Sequence, residues 1–227
     1  KIDGKDVYPK LHDKLKESGF DKKEPISKQL YDIYGLYPAP GDRHVGEFFP
    51  YYMKEEVLME QDYEWKNNDF KVVDGWREEA RVLFDEVRTK KEGYEEFLKG
   101  SGETATYFIR SLATGDISDE MVNVINNGYI DNVSSGIIVE LPTYIDEFGL
   151  HPQKIGKLPD AIAAQCDRLG REYLLMVEAA ATCNYELARQ AMFLDPLVSN
   201  CKYPELLLKD LIRANLDLLP EAWEKHC

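Results

Sequence analysis

The stretch Met121-Val122-Asn123-Val124-Ile125-Asn126 decides how this chain is read, together with Ile137-Ile138-Val139-Glu140-Leu141 eleven positions further on. Both runs are rich in β-branched residues and have the length of strands. Asn126-Asn127-Gly128 and Ser134-Ser135-Gly136 supply turn residues between them. A third short strand is expected at Thr143 to Ile145 or between Leu150 and Ile155. The rest of the chain reads as helix. The expectation is an α+β fold, a mostly helical domain with a small mixed or antiparallel sheet in its second half.

Upstream of the strands, helices are expected at Tyr8–Ser18, Ser27–Tyr34, Val45–Glu60 with a break at Pro50, Asp74–Leu98 and Glu103–Ala113. Along the long one, Trp76, Ala80, Leu83, Phe84 and Val87, and later Tyr94, Phe97 and Leu98, form an apolar stripe with a period near 3.6. Downstream, Pro159 opens a helix whose expected buried face is Ile162, Cys166, Leu169, Tyr173, Val177 and Ala180. Ala179-Ala180-Ala181 permits close helix packing. Tyr185–Leu194 and Tyr203–Leu219 complete the set. No repeat, low-complexity tract or linker divides the sequence, so residues 1–227 read as a single domain.

The chain has 227 residues, with 42 acidic side chains against 28 Lys and Arg and a net charge of -14. Hydrophobic residues make up 44% and charged residues 31%, which is globular rather than disordered composition. A protein that neutralises phosphates needs a basic surplus, so the acidity argues against a nucleic-acid partner. It argues equally against an anionic membrane surface, and no apolar run has the length of a span or a signal peptide. Cys166, Cys183, Cys201 and Cys227 show no CxxC and no metal-finger spacing, so reduced thiols in a cytoplasmic protein are expected. Cys166 and Cys183 lie on apolar helical patterns and read as small core residues. Lys1 to Asp6 reads as the middle of a chain, with something expected before it.

The unusual stretch is Gly41-Asp42-Arg43-His44-Val45-Gly46-Glu47-Phe48-Phe49-Pro50-Tyr51-Tyr52, behind the rigid Leu36-Tyr37-Pro38-Ala39-Pro40 segment. Carboxylates and a guanidinium can hydrogen-bond hydroxyls, and aromatic faces can stack on a sugar ring. A polar loop at a helix start can also hold a general base. The competing reading makes Asp42 a helix N-cap with a solvated His44 and Glu47. Asn126-Asn127-Gly128-Tyr129 is a second polar cluster, for which turn chemistry is a sufficient explanation. Glu140, just before Pro142, sits either at a solvent-facing sheet end or beside a buried partner.

Several segments resemble glycoside hydrolase family 4 in order and spacing. They are Tyr31–Pro38 with Gly41–Pro50, Asn123–Ile130, Val139–Pro142, Ile155–Pro159, Val177–Ala180 and Leu194–Leu197. They resemble its α-galactosidase, α-glucosidase and α-galacturonidase branch, and Lys1–Pro9 is similar to the stretch after the family's Gly-x-Asn-His motif. The resemblance implies the C-terminal, substrate-handling half of such an enzyme. The NAD-binding Rossmann half would precede it, since this chain carries no GxGxxG.

It also implies an unusual reaction: oxidation by NAD, proton removal from C2, elimination, then addition of water, with a divalent metal, usually manganese. On this resemblance Asp42 is the candidate base, with Tyr51 and Tyr52 as the alternatives. A tyrosine base would need a strongly depressed pKa. Arg43, His44, Glu47 and Asn126 would bind substrate, with Glu140 as a further contact. Metal and cofactor ligands are expected outside this chain, which alone would be inactive.

The implied substrate is an α-galactoside or α-glucoside. An Arg fork keeps an α-galacturonide or α-glucuronide open. A non-catalytic carbohydrate-binding or oligomerisation fragment is the remaining alternative. The resemblance implies a homo-oligomer, dimer or tetramer. One departure stands out: relatives carry an Arg-x-Asn segment where this chain reads Arg168-Leu169-Gly170-Arg171.

Overall fold

The computed structural model describes residues 5, 7–19, 23–53, 70–90, 95 and 104–226. Its helices are α1 (Leu11–Ser18), α2 (Pro25–Tyr34), α3 (Asp42–Glu47), α4 (Phe70–Lys90) and α5 (Ala105–Thr114), then α6 (Asp160–Thr182), α7 (Tyr185–Leu194) and α8 (Pro204–Ala214). Strands β1 (Ser118–Ile125), β2 (Ile138–Asp146) and β3 (Gly149–Pro152) lie between α5 and α6. The expected α+β fold is what forms, and the sheet is wholly antiparallel in the order β1-β2-β3. The chain divides into two compact units. One holds residues 1–63, 130–137 and 156–227; the other holds 64–129 and 138–155.

In the sheet unit, β1 and β2 pair from Ser118↔Ile145 to Ile125↔Ile138. Leu141, Thr143 and Ile145 point to the buried face, while Met121, Ile125, Ile138 and Tyr144 are exposed. This is the one-face alternation of an antiparallel sheet. Helix α5 packs against β1 and β2. The buried Ser111 hydroxyl on α5 reaches the Ser118 hydroxyl at 2.7 Å. Thr143–Ile145 is therefore not a third strand but the continuation of β2, and the third strand is Gly149–Pro152.

Pro142 does not break β2, for a geometric reason. Its carbonyl accepts the Gln153 N–H at 2.9 Å, so its polar groups face the β3 side, just past the end of β3. The missing proline N–H falls where no ladder bond is required.

On α4 the expected stripe is present, but Trp76 and Phe84 are 61% and 58% exposed. Its surface is laced by ion pairs, with Arg81 reaching Glu78 at 2.6 Å and Asp85 at 3.1 Å. The expected extension beyond Lys90, and that of the Val45–Glu60 helix beyond Met53, fall outside the described residues, Glu95 apart. The break at Pro50 is real: α3 ends at Glu47 and a 3-10 turn runs Pro50–Met53.

In the helical unit, Asn184 caps α7 by accepting the Glu186 and Leu187 N–H groups at 3.0 and 3.3 Å. Leu208, Ile212 and Trp223 form a core on which Tyr185, Ala188 and Met192 pack. Helix α6 does not bury the expected stripe as one face. Ala163, Glu172 and Ala179 are buried, whereas Cys166, Tyr173 and Val177 are exposed. Ala163 and Gly170 lie on one side of α6, and Glu172 and Ala179 on the opposite side. A Cβ on Gly170 would lie 2.4 Å from Ile137 Cδ1, and Ile137 is fully buried, so the bare backbone of α6 is the surface on which Ile137 packs.

Asn132 joins the 130–137 segment to the entry of α6. Its amide donates to the Leu158 carbonyl at 2.8 Å and accepts the Leu158 N–H at 2.9 Å. Asp131 N–H donates to the Gly156 carbonyl beside it at 2.8 Å.

Candidate functional site

The Gly41–Tyr52 stretch is organised by two helix starts. Helix α2 opens with Pro25, whose fixed φ suits a first helical position, and α3 opens at Asp42. Each start leaves backbone N–H groups without intrahelical partners. The buried Asp42 carboxylate accepts the Ile26 and Ser27 N–H groups at 2.7 Å each. In return Glu24 Oε2 accepts the Asp42 N–H at 2.5 Å. Two acids thus satisfy each other's helix ends, and the positive ends of both helix dipoles favour them. Asp42 is a capping residue, but of α2 rather than of the helix it begins. Burial raises the Glu24 carboxyl above its ordinary range, opposed by the hydrogen bond from the Asp42 N–H and reinforced by the Asp42 charge.

Beyond this clasp the loop turns outward. The His44 Nδ1 lies 3.7 Å from Glu47 Oε2, one helical turn apart, and both are partly exposed. The Arg43 side chain lies outside the described residues. Tyr51 is 58% exposed, with its ring edge-on to Tyr52 at 5.3 Å. Tyr52 is buried, and its hydroxyl donates to Gln29 Oε1 at 2.6 Å. Burial pushes the Tyr52 phenol up to about 12, with the neighbouring Tyr51, Tyr34 and Asp42 adding to the rise. A base needs the opposite shift, so Tyr52 serves packing. The far end of the loop is tied to α6, where Arg168 donates to the Phe48 carbonyl at 3.2 Å and to Gln165 at 3.1 Å.

The structure places Asp42, His44 and Glu47 on α3 and Tyr51 on the turn after it. Asn126 belongs to the sheet unit, where it is fully buried at the end of β1. Glu140 is exposed on β2, opposite Asn123. Among the described residues no group of three or more His, Cys, Asp or Glu is arranged to hold a metal ion. The described residues do not by themselves fit a metal centre. No helix among the described residues is long and apolar enough to cross a membrane.

Two residues carry more of the arrangement than their sequence context announced. Glu24 precedes a helix-opening proline, which marks a helix start but not what its carboxylate reaches. Glu172 occurs in an ordinary-looking polar step of α6. Only the packing of that helix against its neighbours reveals that it is buried.

Residues 1–198 match the model of the family 4 glycosyl hydrolase C-terminal domain. The chain is 29% identical over 235 residues to an α-galactosidase of Bacillus subtilis (strain 168), covering 97% of this chain and 52% of that protein. It is 30% identical over 237 residues to an α-galacturonidase of Thermoanaerobacterium saccharolyticum, covering 96% and 50%. In structure it resembles the 6-phospho-β-glucosidase of Thermotoga maritima, solved with manganese, NAD+ and glucose-6-phosphate. The TM-score is 0.70 at 23% identity, over 96% of this chain and 51% of the other. The chain spans about half the length of the curated relatives it matches. A match across most of the sequence, with the same fold, makes this chain a member of glycosyl hydrolase family 4, corresponding to its C-terminal domain.

Proposed function

We propose that this chain is the substrate-handling part of a glycoside hydrolase acting on α-linked hexosides, an α-galactoside or α-glucoside. The family match over residues 1–198 carries the reading, together with relatives named α-galactosidase and α-galacturonidase. NAD and a divalent metal, manganese by resemblance, belong to residues outside those described. The contribution of this chain is a proton-accepting group and hydrogen bonds to the sugar. Cytoplasmic residence and assembly into a dimer or tetramer are part of the same proposal.

Within it, residues 1–227 act as one functional domain. His44, Glu47 and Arg43 contact sugar hydroxyls, or the carboxylate of a uronide in the alternative substrate class. The base is Asp42 or Tyr51, and the geometry makes the two separable. Asp42 is committed to two backbone N–H groups, so replacing it disturbs the helix start as well as any chemistry. Tyr51 is exposed, so Tyr51→Phe removes a hydroxyl without a packing loss.

The test uses the intact gene product with NAD+ and Mn2+ on 4-nitrophenyl α-galactoside, α-glucoside and α-galacturonide. Turnover of at least one is expected, and turnover of none overturns the reading. Deuterium exchange at C2 then assigns the base. Exchange lost in Tyr51→Phe at unchanged Tm assigns Tyr51; exchange retained assigns Asp42.

A further inference from the structure

A cleft of about 220 Å³ opens in the helical unit, walled by α6, α7, α8 and Trp223. Its wall is apolar: Met176 and Ala179 from α6, Ala191 and Met192 from α7, and Leu208 from α8. Three polar residues interrupt it: Glu172, Asp195 and Trp223. Glu172 and Trp223 are only 3% and 5% exposed. The Glu172 Oε2 and Trp223 Nε1 atoms are each buried without a hydrogen-bond partner among the described residues. Leaving a buried donor and a buried acceptor unmet costs stability, so such groups in a native structure call for a partner.

The chemistry of the two groups narrows what the partner is. The indole N–H only donates, and an ionised carboxylate only accepts. A ligand carboxylate would meet the charges of both Glu172 and Asp195, which line the same cleft. An ammonium donates only and would leave the Trp223 N–H unmet. A hydroxyl does both, donating toward the Glu172 oxygen and offering lone pairs to the indole. Size sets the rest. An apolar cavity of about 150 Å³ takes benzene, so this cleft suits about eight heavy atoms.

We propose that this cleft binds a small amphiphile, an aliphatic or alicyclic alcohol, with its hydrocarbon body on the alanine, methionine and leucine wall and its hydroxyl toward Glu172 and Trp223. The environment of Glu172 is consistent with that use. Burial first, and the Asp195 charge second, raise its carboxyl to about 7 against the pull of Arg168, so it exchanges between donor and acceptor near neutral pH. The site shares no lining residue with Asp42, His44, Glu47 or Tyr51 and stands independently of the proposed glycosidase role.

Cyclohexylmethanol is the probe, titrated into the 15N-labelled whole chain while the Trp223 indole N–H resonance is followed. That resonance is assigned by its loss in Trp223→Phe. The expected result is a saturable shift of the Trp223 signal, with Kd of about 1 mM or tighter. Ala191→Leu, which puts carbon into the cleft, weakens binding by about tenfold or more. If that variant does not fold, Trp223→Phe carries the test by calorimetry, with an expected loss of about threefold to tenfold for one hydrogen bond. No saturable shift up to about 20 mM, well above the expected Kd, in a chain that is folded by circular dichroism, means a cleft holding water only and overturns the proposal. So does tighter binding of cyclohexylmethylamine that is indifferent to Trp223→Phe, which would mark a cation site on the two carboxylates.

Discussion

Glu24 and Asp42 cap each other's helices: the Asp42 N–H donates to Glu24 Oε2 at 2.5 Å, while the Asp42 carboxylate holds the Ile26 and Ser27 N–H groups that follow Glu24. The reciprocity makes α2 and α3 one unit. The loop bearing His44, Glu47 and Tyr51 is positioned by carboxylate-to-backbone hydrogen bonds.

Removing the Asp42 carboxylate should therefore unfold more than a local cap. Asp42→Ala is expected to lower stability by about 1–3 kcal/mol, because two buried N–H groups lose a charged acceptor. Glu24→Gln keeps an amide oxygen for the Asp42 N–H and should cost less than about 1 kcal/mol. Urea unfolding followed by circular dichroism checks both. An Asp42→Ala midpoint equal to that of the wild type would refute the clasp as a source of stability.

Gly170 offers a second test. A methyl group on it would meet Ile137 Cδ1 at 2.4 Å and Ile137 Cβ at 2.9 Å. Gly170→Ala should cost about 1–3 kcal/mol despite the better helix propensity of alanine. Trimming the partner with Ile137→Ala in the same chain should restore part of that loss. The pair then shows a coupling in a double-mutant cycle, whereas additive effects would mean that the two residues do not touch.

Glu172 predicts a pH dependence whose sign is fixed. Its carboxyl is raised to about 7 in the folded chain, chiefly by burial, from an ordinary value of 4.5. The folded state then holds a proton that the unfolded state releases. The contribution to stability is fully present below about pH 4.5 and is lost as pH rises through about 7. Its size should be about 1–3 kcal/mol. Unfolding curves of wild type and Glu172→Gln across that window give the measurement, and equal slopes for the two proteins would contradict the assignment.

Asp167 works the other way. The Ser134 hydroxyl first, then Arg171, pull its carboxyl down to about 2. Its Oδ1 accepts the Ser134 N–H at 2.7 Å, and Arg171 Nε lies 2.7 Å from Oδ2. The stabilisation is present above the ordinary carboxylate value and disappears as pH falls toward 2. Asp167→Asn should flatten the acid limb of the stability curve below pH 4. An unchanged acid limb would show that this pairing is too exposed to matter.

Much of the architecture was legible from local pattern. The β-branched runs around Val122 and Val139, the Pro159 helix entry, the Pro50 break and the family motifs each carry their information within a few residues. Backbone propensity, turn chemistry and motif order are local properties. The grouping of Asp42, His44, Glu47 and Tyr51 was legible for the same reason, since they lie within a single short stretch.

Other features depended on partners far along the chain. Which residues of α6 are buried depended on its neighbours, Ile137 against Gly170 among them, and a helical stripe does not state which neighbour will cover it. The length of β2 through Pro142 turned on where β3 ends. The cap supplied by Asp42 went to α2, fifteen residues back, because two helix ends with unmet N–H groups lie beside its carboxylate. The amino-acid sequence determined which elements form and which family they belong to, since those follow from short-range sterics and from the order of motifs. The tertiary structure alone decided how each helix is rotated and what each buried carboxylate touches, because burial and hydrogen-bond satisfaction are settled between segments distant in sequence.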